Sequence, residues 1–124
     1  MSHKQKIIGL VLGILAVITM ALILRPVPIP TEAECLIETG KVVAIYEAGE
    51  KDVVFQLADT DQRFYINRGL ERGLVLEVLQ ATLMDQEVTI KYPDYWTPLD
   101  PRNDSRHLSQ LEYKGAVIFS EVKK

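Results

Sequence analysis

The sequence predicts a mainly β domain with one packed helix, carried behind a single membrane-spanning helix. Three observations predict it. Ile7 to Leu24 is one uncharged apolar run. Beyond Leu36, apolar residues alternate in short segments separated by turn residues, the period of half-buried strands. One later segment, Leu74 to Met84, switches to helical spacing, which gives the order β-β-β-α-β-β.

The apolar run reads IIGLVLGILAVITMALIL, with Thr19 its only hydroxyl. As a helix it covers about 27 Å, close to the hydrocarbon thickness of a bilayer. His3, Lys4 and Lys6 precede it, while Glu32, Glu34 and Glu38 follow. Despite Arg25 at the far end, that balance favours a cytoplasmic N-terminus and an extracytoplasmic domain. The run exceeds a signal-peptide core and no A-x-A site closes it, so an uncleaved anchor is expected. Gly9 and Gly13 form a G-x-x-x-G pair through which two copies could meet as a homodimer, although glycine is common in membrane helices anyway.

The expected organisation is therefore residues 1–25 as cytoplasmic tip and anchor, 26–35 as a stalk, and 36–124 as the domain. In the stalk, Pro26, Pro28 and Pro30 alternate with Val27 and Ile29. Proline fixes φ and lacks an N–H, so an extended polyproline stretch should follow the helix and hold the domain clear of the headgroups.

Roughly 90 residues remain for the domain, enough for one small core. Eleven of the 14 Lys and Arg and all 17 Asp and Glu follow the anchor, a net charge of −6 there. Such a domain repels polyphosphate, which disfavours nucleic acid as a partner. Cys35 is the only cysteine. It cannot form an internal disulfide, and Ala33-Glu34 before it and the intervening prolines argue against a lipidation site.

The elements follow in order. Thr39 to Tyr46 is β-branched and continuous enough for a buried strand, and Glu47 to Glu50 turn the chain. Val53, Phe55 and Leu57 alternate with Val54 and Gln56, and after Asp59-Thr60-Asp61, Phe64 and Ile66 alternate with Arg63 and Tyr65. Asn67 to Gly73 is a loop, with Asn67 as the expected cap of a short turn. Leu76, Leu79 and Leu83 fall on one helical stripe with Val75 beside it, while Glu77 and Gln80 point elsewhere. Val88, Ile90 and Tyr92 form the next strand, with Thr89 and Lys91 facing out. After a polar loop from Pro93 to about Arg106, His107 to Glu121 reads as two short strands around Tyr113-Lys114-Gly115-Ala116.

Three strands leave an open apolar mouth that an amphipathic helix can plug, and a last strand can close the sheet. From Leu36 to Glu121 that order resembles the OB-fold, a five-stranded barrel with its helix between strands three and four. A small open α+β meander with one packed helix is the alternative. The phrases YINRGLERGL (Tyr65 to Leu74) and YWTPLDPRNDSRH (Tyr95 to His107) are similar to landmarks of small bacterial proteins with one N-terminal anchor and an OB-fold-like domain. That resemblance implies a bacterial cell-envelope location and brings no activity with it.

No phosphate-binding glycine loop, H-E-x-x-H, C-x-x-C or G-x-S-x-G occurs. His107 is the domain's only imidazole, and Ser105 and Ser109 lack a nucleophile's context. No residue is assigned as catalytic, no cofactor is implied, and the spacing of Asp100, Asp104 and His107 matches no metal loop. Two patches stand out instead. Tyr92 to His107 holds Tyr92, Tyr95, the sole tryptophan Trp96, Arg102, Arg106 and His107, aromatic faces beside bidentate anion contacts. Arg63, Tyr65 and Arg68 lie on and after the third strand, on the face an OB-like barrel offers to ligands. The plainer account makes Tyr92 and Trp96 barrel-closing residues, the aspartates turn formers, and Arg63 to Arg68 a solvated strand face.

The sequence therefore points to a membrane-anchored extracytoplasmic binding module without catalysis, meeting an envelope protein, a peptide or a glycan. A nucleic-acid-binding OB module and an envelope hydrolase using His107 with a carboxylate are the alternatives.

Overall fold

The computed structural model describes residues 2–123; Met1 and Lys124, the outer limits of the first and last expected segments, lie outside them. Helix α1 (His3–Leu24) opens on a reciprocal cap, in which Ser2 Oγ accepts the Gln5 amide and Gln5 Oε1 accepts that of Ser2. It stops where Pro26 denies Arg25 a helical conformation. It is 22 residues long, apolar enough to cross a membrane, and nowhere buried. Only Leu22 and Ile23, in its last turn, are partly covered by the rest of the chain.

Strand β1 (Leu36–Ala48) organises the domain and is longer at both ends than its apolar core suggests. Its first half pairs antiparallel with β4 (Glu87–Tyr92), and its second half with β2 (Asp52–Leu57). The register slips between Val42 and Ala44, leaving Val43 as an extra residue. Such a bulge bends a strand, and here it lies where β1 passes from one partner to the other. β2 pairs with β3 (Arg63–Ile66), and helix α2 (Leu76–Leu83) follows. The tail gives three short strands, β5 (Ser105–His107), β6 (Gln110–Tyr113) and β7 (Ala116–Ser120), the last two a hairpin.

The result is a seven-stranded mixed sheet in the order β5-β3-β2-β1-β4-β6-β7. It replaces the five-stranded closed barrel expected from element order. The reason lies in the tail, which does not run as one closing strand. β5 pairs parallel with β3, and two residues later β6 pairs antiparallel with β4. Between them the Leu108 amide donates to the Tyr65 carbonyl and the Ser109 amide to the Lys91 carbonyl, both at 2.8 Å. Mainly β with one helix on the sheet is what forms.

The core is the inward row of these strands: Val42, Ile45, Phe55, Phe64, Ile66 and Ile90, with Leu108 and Leu111 from the tail. α2 adds Leu79 and Leu83, each burial worth about 1.5–3 kcal/mol. Its Gln80 does not face water as expected, but donates to the Ile45 carbonyl at 2.8 Å and ties helix to sheet. Arg68, not Asn67, caps the next turn. It takes a left-handed φ of 52° before the 3-10 turn Gly69–Glu71, and its amide donates to Asp52.

The stalk also departs from expectation, because it lies on the domain. The Lys123 amide donates to the Pro30 carbonyl at 2.8 Å, Thr31 bridges Lys123, and Pro30 is buried. A 3-10 turn at Glu32–Glu34 then folds over β4. Lys91 is consequently not the outward residue expected: Glu32 and Glu112 both pair with it, leaving its side chain 13% exposed. Cys35 closes this turn, with its thiol against the Thr31 carbonyl and its pKa pushed up by burial.

Candidate functional site

The site is built on the outer edge of the sheet, where β5 lies beside β3. Tyr65 and His107 are register partners in that parallel pair, so both side chains leave the same face. Their rings meet edge to face at 5.4 Å. Ser105, two residues before His107, shares that face by strand alternation.

The loop after β4 forms the next wall. Asp100 folds it, its carboxylate accepting the amides of Asp104 and Ser105 at 2.9 and 2.8 Å. Trp96 Nε1 donates to the Pro101 carbonyl at 3.1 Å. Arg106 reaches across, with Nη1 3.3 Å from the Tyr95 carbonyl and its guanidinium 5.2 Å over the Tyr92 ring. The end of α1 and the stalk make the last wall. Arg25 Nη2 donates to the Trp96 carbonyl at 2.7 Å, the Tyr95 hydroxyl donates to the Arg25 carbonyl at 3.0 Å, and the guanidinium lies 4.7 Å over the Tyr95 ring.

These walls enclose an open cleft of about 440 Å³, lined among others by Ile23, Arg25, Val27, Tyr65, Tyr95 and His107. A second cleft of similar size adjoins it and shares Val27, Tyr65 and His107, so the stalk runs between the two. At its far side Glu121 is gripped by His107 Nε2 and by Arg72. Burial would raise the Glu121 pKa, but the hydrogen bonds from His107 and Arg72 outweigh it and hold the carboxyl below its ordinary range. Tyr65 goes the other way: burial first, then nearby acids, keep its phenol protonated and able to donate.

The structure brings Tyr65, Tyr95, Arg106 and His107 to one cleft. Arg63 lies beside Tyr65 in a shallow groove with Tyr46 and Asp52 that adjoins the cleft through Tyr65 and Ser105. Tyr92 sits in the core against Phe64, 5.4 Å between centroids. Arg68 is turned toward Glu50 and Glu71, with 3.5 and 3.6 Å contacts. Trp96 and Arg102 are exposed on the loop outside the cleft. Sequence reasoning missed Arg25, Val27 and Glu121, whereas Asp100 takes the turn-forming role it was given. Arg25 was legible only as a topology charge, and Glu121 only as one acid among many. Among the described residues no group of three His, Cys, Asp or Glu side chains is arranged for a metal ion. No protein-family model matches the chain, and no curated protein matches it in sequence.

Proposed function

We propose that this protein is a membrane-anchored, extracytoplasmic binding module of the bacterial cell envelope, and that the Tyr65–His107 cleft holds its partner. The convergence of Tyr65, Tyr95, Arg106 and His107 from three separate segments onto one cleft carries the reading. Tyr65 offers a ring and a hydroxyl donor, beside Tyr95, whose own hydroxyl is held by the Arg25 carbonyl, a guanidinium and an imidazole. That chemistry suits a glycan or a peptide of an envelope protein, which offers apolar faces together with carboxylates or hydroxyls. The uncharged apolar run Ile7 to Leu24 within α1 supports the anchor, and Lys4 and Lys6 in its first turns support an outward domain. The net charge of −6 after the anchor argues against nucleic acid.

The OB-like reading of the frame draws support from the pairings. β1 lies between β2 and β4, α2 comes between β3 and β4, and Ser105–Tyr113 touches both β3 and β4 as one closing strand would. The test is a crosslinking pull-down from membranes with the Tyr65→Ala/Tyr95→Ala double variant. Partners recovered by the unaltered chain should be lost; an unchanged set counts against this cleft.

A second reading has one observation in its favour. His107 is paired with a carboxylate, Glu121, at the rim of a cleft, which is the arrangement a hydrolase base would need. Ser109 is buried, and no hydrogen bond joins Ser105 to His107 among the described residues. If His107→Ala leaves the cellular role intact, this reading is removed.

A further inference from the structure

The loop after β4 carries large apolar side chains on its outside, and it is bonded to the point where α1 ends. Leu99 is 71% exposed and Trp96 43%. The Trp96 carbonyl accepts Arg25 Nη2 and the Tyr95 hydroxyl reaches the Arg25 carbonyl, so the loop is fixed at the last turn of the helix. Leu99 and Ile23 line the same cleft, and Leu22 and Ile23 are the only partly covered residues of α1.

Length then sets the depth. The apolar run from Ile7 to Leu24 covers about 27 Å against a hydrocarbon layer of about 30 Å, so it has no turn to spare outside. If α1 spans, Ile23 lies at the hydrocarbon boundary, and whatever packs beside Ile23 shares its depth. Tryptophan, tyrosine and arginine are the side chains that prefer that layer. The charges near the loop balance, with Asp94, Asp100 and Asp104 against Arg25, Arg102 and Arg106. Attraction would therefore come from apolar and aromatic contact rather than from anionic lipid.

We propose that the loop Tyr95–Pro101 is a second membrane contact, with Trp96 and Leu99 inserted among the headgroups and upper acyl chains of the bilayer that α1 crosses. The proposal rests on the anchor reading above. It makes the domain lie down on the membrane instead of standing off on its stalk, and it presents the Tyr65–His107 cleft beside the lipid surface.

Trp96 is the only tryptophan, so its emission reports this loop alone. The full chain is reconstituted into phosphatidylcholine vesicles brominated either near the top of the acyl chains or near their methyl ends. Trp96 should lose emission to the top-brominated lipid more than to the deep one, and be shielded from aqueous acrylamide. Leu99→Asp should reduce that loss. A Trp96→Phe/Leu12→Trp variant reports the helix in parallel and should be quenched by the deep bromines. Trp96 open to acrylamide and untouched by either lipid, with the Leu12→Trp probe still quenched, overturns the loop contact and leaves the anchor standing. Neither probe quenched overturns both.

Discussion

Glu121 shows how one half-buried carboxylate links the site to stability. Its folded pKa lies below its ordinary value of 4.5 because His107 and Arg72 bond the ionised form more strongly than burial opposes it. A depressed carboxylate stabilises the fold fully above its unfolded pKa, and that contribution is lost as pH falls through the folded one. Thermal melts of the full chain in micelles should therefore lose stability below about pH 4.5, and Glu121→Gln should flatten that limb of the profile. Identical profiles would show that the pair contributes nothing. A purely steric prediction sits at Gly69, which is buried. An added Cβ would stand 3.0 Å from Val53 Cγ2 and 3.1 Å from Ile66 Cγ2, two fully buried side chains. Gly69→Ala should cost about 1–3 kcal/mol of unfolding free energy by overpacking. Gly73→Ala meets nothing within 4 Å, yet its φ of +86° is strained for alanine, so it should cost about 1 kcal/mol for a different reason.

At the scale of elements, Arg25 decides whether the stalk and the loop behave as one body. Arg25→Ala removes the donor to the Trp96 carbonyl and the cation over Tyr95. Limited proteolysis between residues 93 and 104 should speed up while the core melting temperature holds; equal cleavage rates would show the contact to be idle. The elements that could be read from sequence were those whose own residues alternate. β2, β3 and β4 carry their period locally, α2 declares itself by Leu76, Leu79 and Leu83, and β6 and β7 were marked by the turn residues Tyr113 to Ala116 rather than by a period. β5 could not be read this way. Ser105-Arg106-His107 has no apolar alternation and is a strand only because β3 offers it a parallel partner. The ends of β1 were hidden likewise, since Leu36 to Glu38 pair with β4 across half the chain. The cleft inherits both difficulties. Its aromatic and basic members stood out by type, but the His107–Glu121 contact joins residues 14 apart through the fold of the tail, and Arg25 meets Trp96 across 71 residues.

The whole molecule is divided by charge as much as by fold. Before and beside the apolar run Ile7 to Leu24 stand Lys4, Lys6 and Arg25, and every acidic residue follows. Positive residues near a span resist translocation, whereas acidic ones weigh little, so Lys4 and Lys6 against Arg25 set a narrow margin in favour of an outward domain. Arg25 is not free in solution but is occupied by the Trp96 carbonyl and the Tyr95 ring once the domain has folded beside it. A reporter fused after Lys124 should therefore be active on the outer side and silent inside. Replacing Lys4 and Lys6 with Glu leaves Arg25 as the dominant basic residue beside the span, and should shift a measurable share of the reporter to the cytoplasmic side. Adding Arg25→Ala to that variant should restore part of the outward population. A reporter on the cytoplasmic side in the unaltered chain would remove envelope partners from consideration, whatever the cleft proved able to hold.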